Sequence, residues 1–273
     1  MIKRLINIYI HQYIHVALAT TALASISYVY FELPFNYWVL LLVFFSTLLG
    51  YHFIRWANVW FNSLNKKDFD QLPSMVFMGL SGIGMLLVIK HLHVYQSMLL
   101  FPVGFLTITY AVPFIKIKGK WQSLRQIPQL KILIIALSWT LMTVALPLFE
   151  YSNTTDFWIE FIQRFVFIVA VTIPFDIRDF LTDPKDLGTL PQKIGVERSK
   201  HTGMLLIVLF FVLTFLMSNL TTYGILSELG VFILVLLFLY YSNPDNDKYF
   251  VSFWVEAVPI FWLIDVLIWR LIL

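Results

Sequence analysis

The sequence contains no cysteine in its 273 residues. Disulfide bonds, a thiol nucleophile and a cysteine-ligated metal site are therefore excluded. Charged residues are also few, because Asp, Glu, Lys and Arg make up 13% of the chain, whereas soluble domains carry roughly 25%. No polar block the size of a domain interrupts the sequence, so a separate soluble domain is not expected.

Apolar residues are abundant instead, since 59% of the chain is hydrophobic and 18% is aromatic, with a mean hydropathy of +0.80. Many apolar runs approach the roughly 20 residues that an α-helix needs to cross a bilayer. We predict one all-α integral membrane domain over residues 1–273, a bundle of about nine transmembrane helices. The predicted spans are 13–31, 37–54, 75–89, 94–114, 132–149, 157–175, 203–217, 223–241 and 251–272.

Basic residues are concentrated on one side of this predicted topology. The segments 1–12, 55–74, 115–131, 176–202 and 242–250 hold 16 of the 19 Lys and Arg residues. Basic loops of membrane proteins stay on the cytoplasmic side. We therefore expect a cytoplasmic N-terminus, cytoplasmic polar loops, and a multi-pass location in the plasma (inner) membrane of a bacterium.

Four of the 16 acidic residues lie within eleven residues after the sixth predicted span, at Asp176, Asp179, Asp183 and Asp186. If the helix continues through Asp183, the first three have the spacing i, i+3 and i+7 and share one face. Such carboxylates repel one another and attract a cation. Magnesium fits, because it takes a few carboxylate oxygens, keeps waters and bridges to phosphate. A solvated acidic helix end is the alternative.

The segment between the fourth and fifth predicted spans carries five cations on the same predicted side. They are Lys116, Lys118, Lys120, Arg125 and Lys131. An anionic ligand bridged by magnesium would satisfy both these cations and the aspartates. The alternative is that the cations only fix the topology and contact anionic lipid.

Two of these segments are similar to a known family. The string DIRDFLTD from Asp176 to Asp183, followed by GTLPQKIG from Gly188 to Gly195, resembles the second aspartate-rich motif of the UbiA superfamily of intramembrane prenyltransferases. The segment from Tyr110 through Pro113 and Lys116 to Lys118 is similar to the Tyr/Pro/Lys segment of that family. The predicted topology agrees with the resemblance over most of the chain.

The resemblance implies a helical bundle around a central cavity. It implies transfer of an isoprenoid from its diphosphate to an aromatic or other lipophilic acceptor, of the kind used in quinone or lipid biosynthesis. The expected partners are thus a prenyl diphosphate, the acceptor and membrane lipids, with no nucleic acid.

The resemblance also implies a set of site residues. Magnesium would be the cofactor, held by Asp176, Asp179 and Asp183, of which Asp179 and Asp183 are the foremost ligands. Lys116 and Lys118 would contact the diphosphate. Arg178 would either contact it too or pair with an acid.

The first aspartate-rich motif of the family, NDxxDxxxD after the second span, is missing here. Its place is taken by GYHFIRWANVWFNSLNKKDFDQLP, in which Asn58 and Asn62 keep only an NxxxN spacing. Neutral amides bind Mg²⁺ less well than carboxylates, because the attraction between opposite charges is lost. Arg55 in this segment would repel a metal ion but is suited to hold a diphosphate directly.

Acidic residues within the predicted spans are functional candidates by default. Glu160 and Arg164 are spaced i, i+4 and are expected to form a structural pair. Glu256 is a better candidate than Asp265 for accepting a proton from an acceptor, because it lies nearer the cytoplasmic end.

Three functions remain open from the sequence. The first is a divergent prenyltransferase with a degenerate first motif. The second is a protein of the same fold that binds a prenyl lipid or quinone without turnover. The third is an unrelated membrane transporter with an acidic loop.

Overall fold

The computed structural model describes residues 8–61, 71–117, 119–127, 129–184 and 187–273. Within these residues the chain forms an α-helical bundle and one short β-hairpin. Six helical segments are long and apolar enough to cross a membrane, and two shorter apolar helices accompany them. The predicted class, an all-α multi-pass membrane protein, is therefore confirmed. The number of spans and the side of the N-terminus stay predictions.

The helices are numbered here in chain order. They are α1 (Ile14–Tyr30), α2 (Tyr37–Phe61), α3 (Gln71–Ile89), α4 (Val94–Met98), α5 (Leu100–Ala111), α6 (Leu130–Thr140), α7 (Thr155–Arg178), α8 (Leu190–Ile194), α9 (Val196–Thr214), α10 (Thr222–Tyr241) and α11 (Val258–Ile272). Wider π-helical turns extend α6 over Leu141–Ala145 and precede α11 over Phe250–Val255.

The basic segment after α5 is a hairpin rather than an open loop. Helix α5 ends at Ala111, where Pro113 restricts the residue before it to extended backbone. Strands β1 (Ile115–Ile117) and β2 (Lys120–Gln122) then pair antiparallel. Gly119, with φ +81°, occupies a left-handed backbone conformation between the strands.

Helix α7 ends before Asp183, whereas the three aspartates would share one face only if the helix continued through that residue. It ends at Arg178, and a 3₁₀ turn over Asp179–Leu181 follows. Pro184 disfavours helical backbone at Asp183. The expected alignment of three carboxylates along one continuous helix is therefore wrong, since Asp183 lies beyond the helix.

Helix α7 lies at the centre of the bundle. The span Thr155–Leu181 has the largest buried share of the six long segments, 61%. Its apolar side chains, among them Phe167 and Ile173, pack in one core cluster with Trp262 of α11 and Phe210 of α9. A central helix that is buried on most sides positions its charged residues inside the protein rather than in water.

The middle of α7 carries a buried ion pair. The guanidinium of Arg164, which is 1% exposed, donates to the carboxylate of Glu160 four residues earlier. It also donates to the carbonyl oxygen of Leu23 at 2.8 Å and to the hydroxyl of Ser27 at 3.3 Å, both on α1. The predicted pair is thus confirmed, and its hydrogen bonds connect α7 to α1.

Replacing Arg164 by Leu leaves the carboxylate of Glu160 buried without its partner. We expect the free energy of unfolding to fall by about 3–5 kcal/mol, because an unpaired buried charge is costly. Helical circular dichroism of the detergent-solubilised protein, followed through heating or denaturant, measures the change. The matched control is Glu197→Gln, which breaks the pair with Lys200 at a side chain that is 73% exposed and should change stability little. Equal losses in both variants would contradict the burial argument.

Candidate active site: a cavity with one charged end

A cavity of about 630 Å³ lies inside the bundle. Helices α1, α2, α5, α6 and α7 and the turn before α11 form its walls. Most of its lining is apolar or weakly polar, contributed by residues that include Thr20, Thr47, Val103, Thr107, Ile135, Trp139, Met142, Phe167, Ile168, Val171 and Pro259.

Among the described residues, the charged side chains that line this cavity are gathered at one end. Arg55 lies near the end of α2, Lys131 at the start of α6, and Asp176 and Arg178 at the end of α7. Arg125, in a 3₁₀ turn between β2 and α6, joins them. Most of the apolar lining residues lie further along the same helices, although Ile54, Ile132 and Phe175 adjoin the charged positions. The cavity is therefore amphipathic, with an ionic end and an apolar body.

Asp176 is neutralised by a cation of the chain itself. Its carboxylate is 2% exposed and lies 2.8 Å from the ammonium of Lys131. The same ammonium lies 4.0 Å from Oδ2 of Asp183. A buried carboxylate is costly unless a hydrogen-bonded cation faces it. Lys131 thus holds together the end of α7 and the start of α6.

Asp179 is also paired, in this case with its neighbour. The guanidinium of Arg178 donates to it through two hydrogen bonds, from Nε to Oδ1 at 2.8 Å and from Nη2 to Oδ2 at 3.0 Å. This side-by-side geometry is the strong form of an arginine–carboxylate pair. Of the two roles expected for Arg178, pairing with an acid is the one observed, at a position that still lines the cavity.

The structure separates the predicted site residues into two groups. Arg55, Asp176, Arg178 and Asp179 line the cavity. Lys116 and Asp183 are not among the residues that line the cavity. Lys116 lies on β1 and is exposed. Lys118, Asn62 and Asp186, which the sequence analysis also singled out, lie outside the described residues.

Two other cations of the basic segment line the cavity, although the sequence did not mark them individually as ligands of the diphosphate. They are Arg125 and Lys131, which follow the hairpin, whereas Lys116 precedes its turn. The sequence places all five cations in one segment but gives no register for the hairpin. The aromatic lining residues Tyr51 and Trp139 carry no distinguishing sequence signal either.

The described residues do not fit a magnesium ion. Over this part of the chain, no three His, Asp or Glu side chains are grouped so that they could hold a metal. Lys131 and Arg178 already face the carboxylates, and the opposite wall offers the amide of Asn58 and the cation of Arg55 instead of acids. Magnesium stays a prediction from the sequence resemblance.

No protein-family model and no curated protein matches this sequence. Among solved structures, the chain is similar to a digeranylgeranylglyceryl phosphate synthase, a UbiA-superfamily membrane prenyltransferase. The two share 17% sequence identity and a TM-score of 0.60 over 94% of each chain. At this identity the likeness establishes the fold alone. The chain therefore shares the fold of this synthase, in agreement with the fold that the aspartate-rich segment predicted.

Proposed function

We propose that this protein is a membrane prenyltransferase that moves an isoprenoid from its diphosphate to an aromatic or other lipophilic acceptor. The amphipathic cavity carries the proposal, because its two parts match the two parts of such a donor. The ionic end suits the diphosphate, and the apolar body suits the hydrocarbon chain. The fold shared with a membrane prenyltransferase supports the same conclusion.

The chemistry requires the C–O bond between the prenyl chain and the diphosphate to break. Cations at the ionic end stabilise the negative charge that develops on the leaving diphosphate. An allylic cation remains in the cavity body, where Tyr51, Trp139 and Phe167 line the wall. Aromatic faces attract a cation and exclude the water that would otherwise consume it.

The acceptor must lose a proton as its new bond to the allylic carbon forms. Over the described part of the chain, three carboxylates line the cavity, those of Asp176, Asp179 and Glu256. The first two form ion pairs, whereas Glu256 forms none with the described residues. We therefore assign to Glu256 the role of accepting this proton, in agreement with its choice over Asp265 from sequence.

Replacing Glu256 by Gln keeps the shape of the side chain and removes the base. We expect the turnover number for prenyl transfer to fall by about 10²–10⁴-fold, while affinity for the prenyl diphosphate is retained. The matched control is Asp265→Asn, an intramembrane acid of α11 that is not among the residues lining the cavity. Turnover assays with a pool of aromatic acceptors measure both variants. A variant E256Q as active as the parent protein would remove Glu256 from the mechanism.

Two cations of the basic segment 115–131 differ in their position relative to the cavity, so their contributions to diphosphate binding can be compared. Arg125 lines the cavity and Lys116 is exposed on β1. We expect Arg125→Gln to weaken binding of geranylgeranyl diphosphate by about ten-fold or more, because a hydrogen bond to a charged group is lost. Lys116→Gln should change binding little. The reverse order would restore Lys116 to the role that the sequence resemblance gives it.

A second candidate function is binding of a prenyl lipid or quinone without turnover. It is favoured by the ion pairs of Asp176 and Asp179, which occupy the carboxylates that the resemblance assigns to magnesium. The transporter interpretation finds no support in the shared fold.

Release of diphosphate distinguishes the two candidates. Purified protein in detergent is given farnesyl or geranylgeranyl diphosphate, with and without a pool of aromatic acceptors. Acceptor-dependent release of diphosphate is expected. Saturable binding of the prenyl diphosphate without release would favour the binding protein, and absence of both would overturn the proposed function.

A further inference from the structure

We propose that the donor's diphosphate is held by cations of the chain itself, at Lys131, Arg178, Arg125 and Arg55, and that this binding needs no metal ion. The inference rests on the proposed function for the identity of the ligand, an organic diphosphate. It goes beyond that function by stating how the anion is bound. It also departs from the magnesium expected from the sequence resemblance.

The first observation is the position of the Lys131 ammonium. It lies between two of the carboxylates that would coordinate a metal, 2.8 Å from Asp176 and 4.0 Å from Asp183. A divalent ion placed there would have to displace this cation or share its site against charge repulsion. The side chain of Lys131 is only 16% exposed, so displacement would bury an ammonium without its partner.

The second observation is the pairing of Arg178 with Asp179. Both carboxylate oxygens of Asp179 accept hydrogen bonds from this guanidinium, so neither is left as a simple anionic ligand. The pair uses the Nε–H and one Nη2–H of the five donors that a guanidinium carries. Three N–H groups of Arg178 therefore remain for a phosphate. Lys131, an ammonium with three donors, likewise retains donors beyond its bond to Asp176.

The third observation is the charge of the cavity as a whole. Among the residues that the structure describes, four cationic side chains line it against three acidic ones, Asp176, Asp179 and Glu256. A magnesium ion would add two positive charges to a lining that is already cationic. An organic diphosphate, in contrast, brings negative charge that this lining attracts. The guanidinium of Arg55 is oriented by donating to the carbonyl oxygen of His11 at 3.2 Å.

Removing the charge of Asp179 distinguishes metal-dependent from metal-free binding. The two modes predict opposite changes in the affinity for the diphosphate. If Asp179 is a metal ligand, Asp179→Asn weakens binding of the diphosphate. If Asp179 only neutralises Arg178, the same variant leaves a guanidinium with more charge available to the phosphate. We expect D179N to bind geranylgeranyl diphosphate about two- to ten-fold more tightly than the parent protein, both in EDTA and in excess Mg²⁺. Loss of a metal ligand would instead lower the affinity in excess Mg²⁺.

The measurement is a calorimetric or fluorescence titration of detergent-solubilised full-length protein with geranylgeranyl diphosphate. Each titration is run in EDTA and again in excess Mg²⁺. The parent protein is expected to bind in EDTA, and no more tightly in excess Mg²⁺, because Mg²⁺ complexes the free diphosphate and lowers its negative charge. Lys131→Gln should weaken binding by about ten-fold or more in EDTA, because a charge-assisted hydrogen bond is lost. Lys90→Gln, an exposed cation that is not among the cavity-lining residues, is the matched control and should bind like the parent.

A double variant shows whether weak binding by Lys131→Gln reflects a lost phosphate contact or a destabilised protein. Lys131→Gln leaves the buried Asp176 without its partner, so Lys131→Gln combined with Asp176→Asn removes both charges together. The double variant should fold like the parent and still bind the diphosphate weakly. Normal affinity in the double variant would overturn the role of Lys131.

The remaining outcomes separate this inference from the proposed function. Binding that vanishes in EDTA and returns with Mg²⁺, or a loss of binding in D179N, would overturn the metal-free site. No binding in either buffer would overturn the anion site altogether. Metal-free binding without release of diphosphate would uphold this inference and overturn the proposed transferase.

Discussion

The structure depends on the neutralisation of carboxylates buried within the bundle. Helix α7 carries Glu160 in its middle and Asp176 at its end, and both are almost fully buried. Each faces a cation of the same chain, Arg164 in one case and Lys131 in the other. Because a buried charge without a partner destabilises a fold by several kcal/mol, these pairs constrain how α7 packs against α1 and α6. The first pair is structural, and the second lies where the cavity begins.

The pair at the end of α7 connects the fold to its proposed activity. It places an ammonium, and beside it the guanidinium of Arg178, at the one end of the cavity that is ionic. The apolar residues further along the same helices leave a space suited to a hydrocarbon chain. An anion with a long apolar tail would satisfy both ends at once, which is why we propose a prenyl diphosphate rather than a compact polar substrate.

Local patterns in the sequence predicted much of this. Apolar runs predicted the helical segments, and the i, i+4 spacing predicted the pair of Glu160 with Arg164. The aspartate-rich string predicted a fold that a solved membrane synthase shares. The ion pair of Lys131 with Asp176 joins residues 45 positions apart and depends on how α6 packs beside α7, which no local pattern encodes. The choice of Arg125 over Lys116 depends on the hairpin register. The absence of helix at Asp183, in contrast, is encoded locally, because Pro184 disfavours helical backbone at the residue before it.

Anomalous diffraction from crystals grown with Mn²⁺ and a non-hydrolysable prenyl thiodiphosphate would test metal-free anion binding most directly. Manganese prefers the same oxygen ligands as magnesium and is located by its own signal. The expected result is a diphosphate in contact with Lys131 and Arg178, and no anomalous peak between Asp176, Asp179 and Asp183. A manganese peak bridging these carboxylates to the diphosphate, with Lys131 displaced from Asp176, would contradict it.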